Sequence, residues 1–126
     1  MGFLSNLFKA KKMPVHVDDA NFEAEVLRSS VPVVLDVWSA NCAPCKKLEE
    51  VMITLATEYD GRVKVAELGT HLAPKMAAKL RISATPTVIY FSKGREKDRV
   101  MGFRGSVYHR EAIDELFAAD LKTVER

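Results

Sequence analysis

With 126 residues, 48% of them hydrophobic, the chain has the size and apolar content of one compact domain that needs no metal or disulfide staple to hold its core. Lys and Arg number 19 against 17 Asp and Glu, a net charge of +2 with no long basic run, which argues against a nucleic-acid partner. The two cysteines lie three positions apart, too few and too close for a secreted disulfide framework, and no apolar run reaches the roughly 18 residues of a membrane span.

Residues 1–13 read as an N-terminal amphipathic appendage to a domain over residues 14–126. Phe3, Leu4, Leu7 and Phe8 would line one side of a short helix, followed by Lys9, Lys11 and Lys12. That pattern suits a weak membrane or partner contact through residues 1–12; a frayed tail is the alternative, since so short a helix is marginal alone. The segment has neither the basic start nor the cleavage site of a signal peptide, and Asn6 breaks the myristoylation pattern. A reducing cytoplasm is the expected compartment.

Residues 14–17 read as a short strand, and Asp18 or Asp19 can cap a helix running to about Arg28. Residues 31–38 are apolar on both faces apart from Asp36, as in a strand at the middle of a covered sheet. The next helix has the clearest period: Leu48, Val51, Met52, Leu55, Ala56 and Tyr59 form one continuous face, and Gly61 stands where a C-cap is wanted. Residues 63–68 form a further strand and 73–80 a short helix. Residues 87–91 and 97–103 pair as a hairpin around 92–95, with Gly94 supplying the turn. A final amphipathic helix over about 107–121 uses Ile113, Leu116 and Phe117. The order βαβαβαββα calls for an α/β fold, a mixed sheet with helices on both faces.

Cys42-Ala43-Pro44-Cys45 falls just past the buried strand, at the start of the strongest helix. Cysteines at i and i+3 of a first turn stand about 5 to 5.5 Å apart at Cα, within disulfide range. Cys42 lies among the unsatisfied N–H groups of the helix start, which favour its thiolate, the attacking species. Cys45, one turn in, suits the resolving role. Pro44 is tolerated because its missing N–H falls in the first turn. A structural disulfide and a zinc half-site are the other readings. A three-residue loop gives little entropic stabilisation, and His16, His71 and His109 are too scattered to complete a metal site, so none is expected. Asp36, alone among apolar neighbours, would have its pKa raised by burial and become a usable base near neutral pH.

The stretch from Asp36 through Trp38 to Cys42, Cys45 and Lys46 resembles the active-site segment of thioredoxins. Ala84-Thr85-Pro86-Thr87 is similar to their cis-proline loop, and Gly94 and Gly102 fall where the family has glycines. The resemblance covers roughly residues 14–121. It implies a thioredoxin fold, a mixed central sheet of four to five strands, acting as a monomer with no bound cofactor. It also implies that Cys42 attacks a target protein's disulfide, that Cys45 resolves the mixed disulfide with Asp36 accepting its proton, and that a thioredoxin-reductase-like flavoprotein returns the electrons. Pro86 would carry a cis bond facing the cysteines, leaving Thr85 to pair with substrate. Trp38, either a core residue or a shield for the disulfide, would join Asn41, Ala43 and Pro44 in contacting targets.

Four positions depart from the family. Asn41 stands where a tryptophan is usual, Ala43 replaces glycine, Glu67 appears where many members have a lysine near the buried aspartate, and His71 falls in a commonly acidic stretch. A dedicated redox partner of one enzyme is therefore an alternative to a general reductant. A thioredoxin-fold interaction module without turnover is a further one, and an insulin-reduction assay separates it.

Overall fold

The computed structural model describes residues 10–124, so Phe3, Leu4, Leu7, Phe8 and Lys9 of the expected appendage lie outside the described residues. The most apolar run becomes the central strand. β2 (Val33–Trp38) is bonded on both edges, parallel to β3 (Lys64–Gly69) and antiparallel to β4 (Thr87–Ser92). A strand covered on both faces has no solvent side, which is why its residues do not alternate. β1 (Val15–His16) pairs with β3 and β5 (Arg95–Met101) with β4, giving the order β1-β3-β2-β4-β5. This is the mixed α/β sheet expected of the sequence.

α2 (Ala43–Glu58) covers one face. Its Leu48, Met52 and Leu55 are fully buried against Val34, Val65, Val88 and Tyr90, with Ile113 of α4 (Ser106–Leu116) alongside. Truncating any one of these side chains to alanine costs about 2–5 kcal/mol. The opposite face carries α1 (Glu23–Leu27), which closes with a wide turn from Arg28 N–H to Glu23 O at 2.9 Å, and α3 (Pro74–Lys79). Phe22 and Val26 pack there on Leu35, Ile89 and Phe91. Among the described residues no helix is long and apolar enough to cross a membrane.

Several boundaries differ from the expected ones, each for a local reason. The first strand is two residues rather than four. Asp18 closes only the turn ahead of α1, its Oδ1 accepting from Ala20 and Asn21 N–H while Asn21 Oδ1 accepts from Asp18 N–H, and the N-cap of α1 itself is Phe22, which supplies no side-chain cap. Asp19 instead reaches across to the start of α3, accepting from Met76 N–H at 2.8 Å and Lys75 N–H at 3.3 Å. α2 ends at Glu58 with Tyr59 as its C-cap, and Gly61, with φ +86°, turns the chain two residues after that cap. The hairpin loop is the two residues Lys93 and Gly94, both with positive φ, so β5 starts at Arg95 rather than Lys97. A Cβ at Gly94 would also come within 2.9 Å of the Leu27 carbonyl oxygen. Opposite the Tyr90–Phe91 step β5 carries one extra residue, and it ends at Met101 because Gly102 takes φ +91°. The final helix is two: α4 stops at the buried Phe117 and α5 (Ala118–Val124) follows.

Nothing local in the sequence marks His109, yet α4 buries it completely. Its Nδ1 lies 2.6 Å from the Tyr90 hydroxyl, and Nε2 has no hydrogen-bond partner among the described residues. Burial disfavours the imidazolium and pushes the pKa down to about 4 from an ordinary 6.5. The unfolded chain therefore takes up a proton near pH 6.5 that the native state refuses until about pH 4. Stability complete above that window is lost as pH falls through it, by about 3 kcal/mol at roughly 1.4 kcal/mol per unit. Urea melts of wild type and His109→Gln at pH 7 and pH 4.5 should show the wild type losing more on acidification, by about 2–3 kcal/mol. Equal losses would acquit the imidazole.

Candidate active site

The chain leaves β2 at Trp38 and enters α2 through a short loop that delivers Cys42 to the N-cap position. Cys42 is extended, at φ −117° and ψ 102°, and its Sγ accepts from Cys45 N–H at 3.2 Å. The Cys42 carbonyl takes the first helical bond, from Lys46 N–H at 3.1 Å. Ala43 and Pro44 fill the first turn, where proline's missing donor leaves no acceptor unpaired. Asn41 precedes them at φ +58°, a left-handed conformation that asparagine tolerates better than most residues. Cys42 and Cys45 are joined in a disulfide with Cα atoms 5.2 Å apart. Cys42 is half-buried and Cys45 is 4% exposed, so the outer sulfur is the more accessible of the two. The outer sulfur also faces the helix N-terminus, which favours its anion.

The Thr85–Pro86 peptide is cis and lies against the pair. Cys42 Sγ is 3.7 Å from the Thr85 carbonyl oxygen and 3.8 Å from its hydroxyl, which in turn sits 2.6 Å from Ser39 Oγ. Neighbouring bonds pin this loop: the Thr87 hydroxyl donates to Ala84 O at 2.7 Å, and Gly102 N–H donates to Pro86 O at 2.8 Å. Asn41, Ala43 and Pro44 are exposed around the disulfide, and Thr85 and Trp38 are half-exposed.

Behind the disulfide is a cavity of ≈ 690 Å³ whose lining includes Cys45, Asp36, Glu49, Glu67 and Met52. Asp36 is 4% exposed, and its Oδ1 has no hydrogen-bond partner among the described residues. Burial first, then the charges of Glu67 and Glu49, raise its pKa to about 7. A carboxyl group that gains and loses its proton near neutrality is matched to proton transfer at a thiol. Glu67 sits beside Asp36 on the adjacent strand. Where a lysine would offer Asp36 a cation, Glu67 accepts from Trp38 Nε1–H at 2.6 Å and pairs with His16 Nδ1 at 2.8 Å. Trp38 can lie there because its register partner is Gly69, where a Cβ would stand 2.9 Å from the indole. The His71 ring meets the indole edge-on, centroids 5.3 Å apart. Trp38 is therefore neither wholly core nor a free shield but is tied by its N–H to Glu67. His16 and Gly69 escape a reading of the sequence, since neither belongs to a motif and both gain their roles from another strand. No cluster of three or more His, Cys, Asp or Glu among the described residues could hold a metal ion.

A family model for thioredoxin matches residues 13–115. The chain is 38% identical over 94 residues to a chloroplastic M-type thioredoxin of Spinacia oleracea, covering 75% of this chain and 52% of that protein. It is 37% identical over 86 residues to thioredoxin 1 of a Nostoc species, covering 68% of this chain and 80% of that one. A bifunctional thioredoxin reductase/thioredoxin of Mycobacterium leprae is 36% identical over 91 residues, 20% of its length. The chain spans about half the length of the chloroplastic relatives it matches.

The raised Asp36 carboxyl has a stability consequence of the opposite sign to that of His109. The unfolded chain releases this proton near pH 3.8, whereas the native state holds it to about pH 7. Native stability therefore falls as pH rises through that interval and stays reduced above it. Asp36→Asn should leave stability near wild type below pH 4 and raise it by about 3–4 kcal/mol above pH 7. Denaturant melts of both oxidised proteins across that range measure the difference, and a difference independent of pH would contradict the assignment.

Proposed function

The chain belongs to the thioredoxin family, and on that premise we propose that it reduces protein disulfides by cycling Cys42 and Cys45 between dithiol and disulfide. The observation that carries this reading is an accessible Cys42 capping α2, one helical turn from a buried Cys45. The Cys42 thiolate attacks one sulfur of a target disulfide, bonding to it while the other target sulfur leaves as thiolate. Cys45 then passes its proton to the Asp36 carboxylate and attacks the Cys42 sulfur. The Cys42–Cys45 bond forms, the second target sulfur leaves, and two electrons have moved to the target. Trp38, Asn41, Ala43, Pro44 and Thr85 form the surface on which the target docks beside Cys42, next to the cis bond of Pro86. Renewal of the dithiol takes two electrons from a thioredoxin-reductase-like donor. A relative named as both reductase and thioredoxin supports a donor of that kind.

Asn41 favours a second reading, in which the chain serves a narrow set of targets. A tryptophan beside the nucleophile would offer broad, non-directional contact, as aromatic side chains do at interfaces. Asparagine offers less area and asks for hydrogen-bond partners.

Cys42→Ser should abolish insulin reduction, whereas Cys45→Ser should accumulate mixed disulfides with targets, visible on non-reducing gels. Trapping by Cys42→Ser in place of Cys45→Ser would reverse the two roles. Asn41→Trp should raise insulin reduction while leaving the redox potential nearly unchanged, because the helix start that stabilises Cys42 is untouched. The left-handed backbone at position 41 should cost that variant about 1 kcal/mol of stability. Equal insulin rates for the two proteins would remove Asn41 from specificity.

A further inference from the structure

His16, Glu67 and Asp36 are consecutive members of one transverse row across β1, β3 and β2. Residues in register on neighbouring strands project from the same face, here the face covered by α2. Glu67 stands in the middle, one oxygen held by Trp38 Nε1–H at 2.6 Å and the other by His16 Nδ1 at 2.8 Å. Asp36 stands at the inner end, its Oδ1 unpartnered among the described residues, lining the cavity it shares with Cys45. His16 is the outer end, half-exposed and in exchange with water.

We propose that His16 and Glu67 are positioning residues of the redox cycle, the charge on the exposed imidazole acting through Glu67 to govern proton transfer between Cys45 and Asp36. This rests on Asp36 receiving the Cys45 proton as the Cys45–Cys42 bond forms and the target thiolate departs; Asp36 later gives that proton to water. With His16 protonated, the Glu67 charge is compensated and Asp36 ionises more readily. With His16 neutral, Glu67 faces Asp36 as an uncompensated anion and Asp36 holds its proton more firmly. The hydrogen bond to Glu67, then that residue's charge, raises the imidazole above 6.5, so the change falls on the alkaline side of that value. Other charges face the row. Asp18 lies 3.6 Å from His16 Nε2 and supports its protonated form. Glu49 acts on Asp36 in the same sense as Glu67, Lys46 on the cavity wall carries the opposite charge, and His71 touches Trp38.

Carbon-detected NMR titration of the Asp36 carboxyl and the His16 ring in the full chain tests this, using wild type, His16→Gln, Glu67→Gln and the double variant. His16 is exposed, and glutamine at position 67 still accepts from Trp38, so the variants keep the fold. Glu67→Gln should increase the acidity constant of Asp36 and His16→Gln should decrease it, each by about threefold or more. The double variant should match Glu67→Gln, because without the Glu67 charge the imidazole has nothing to compensate. Coupling is reciprocal, so Asp36→Asn should increase the acidity of His16. The pH midpoint for release of target from the mixed disulfide should move with that of Asp36. An Asp36 midpoint common to all four proteins overturns the proposal. If the midpoints move as expected but Asp36→Asn leaves the pH profile of release unchanged, the assignment of Asp36 as proton acceptor fails and takes the proposal with it.

Discussion

An acidic side chain stands in the middle of the buried central strand, and the cavity behind the disulfide exists because the fold tolerates it there. β2 is hydrogen-bonded along both edges and covered on both faces, so a carboxyl group there has little water and few donors. Asp36 meets that constraint by keeping its proton to about pH 7. The rigidity that makes the position unfavourable for charge also fixes where the carboxyl points. β2 runs straight into the loop that ends at Cys42, so acid and cysteines are held by one short, well-packed segment.

Asp36 and His109, both buried, lie on the same face of the sheet and pull the pH dependence of folding in opposite directions. His109 favours the native state as pH rises out of the acid range, and Asp36 disfavours it over much of the same interval. Their slopes offset between about pH 4 and pH 6.5. The protein thus carries an acid in its core while the opposing slope of His109 moderates the change in stability over that interval. Elsewhere the charge is kept at the margins: β1 is only two residues long, and β5 presents Arg95, Glu96, Lys97 and Asp98 to solvent, an edge ill-suited to pairing with another chain.

How much of this is legible in the sequence depends on the range of the interaction that decides each feature. α2 and β2 are legible because period and unbroken apolarity are local, and the cysteine pair because its spacing within one helical turn dictates its chemistry. The lysine-to-glutamate departure at Glu67 is visible as a residue type, but its pairing with His16 arises only when β1 and β3 meet, 51 positions apart. Asp19 has the local signature of a cap, yet the helix it caps begins 55 residues later at Pro74. The break at Phe117 leaves no trace because Ile113, Phe117 and Leu121 keep a helical spacing across it. His109 reads as an ordinary polar residue until Tyr90, on a strand 19 positions earlier, supplies its hydrogen bond.

The bond from Cys45 N–H to Cys42 Sγ makes one sulfur both a member of the disulfide and the group that closes the end of a helix. An anionic sulfur is a better acceptor than a neutral one, so the first turn of α2 is held most firmly when Cys42 is a thiolate. The same sulfur already accepts this bond within the disulfide, so oxidation exchanges a charged acceptor for a neutral one without removing the bond. How firmly a single backbone amide is held is thereby tied to the charge on one sulfur atom.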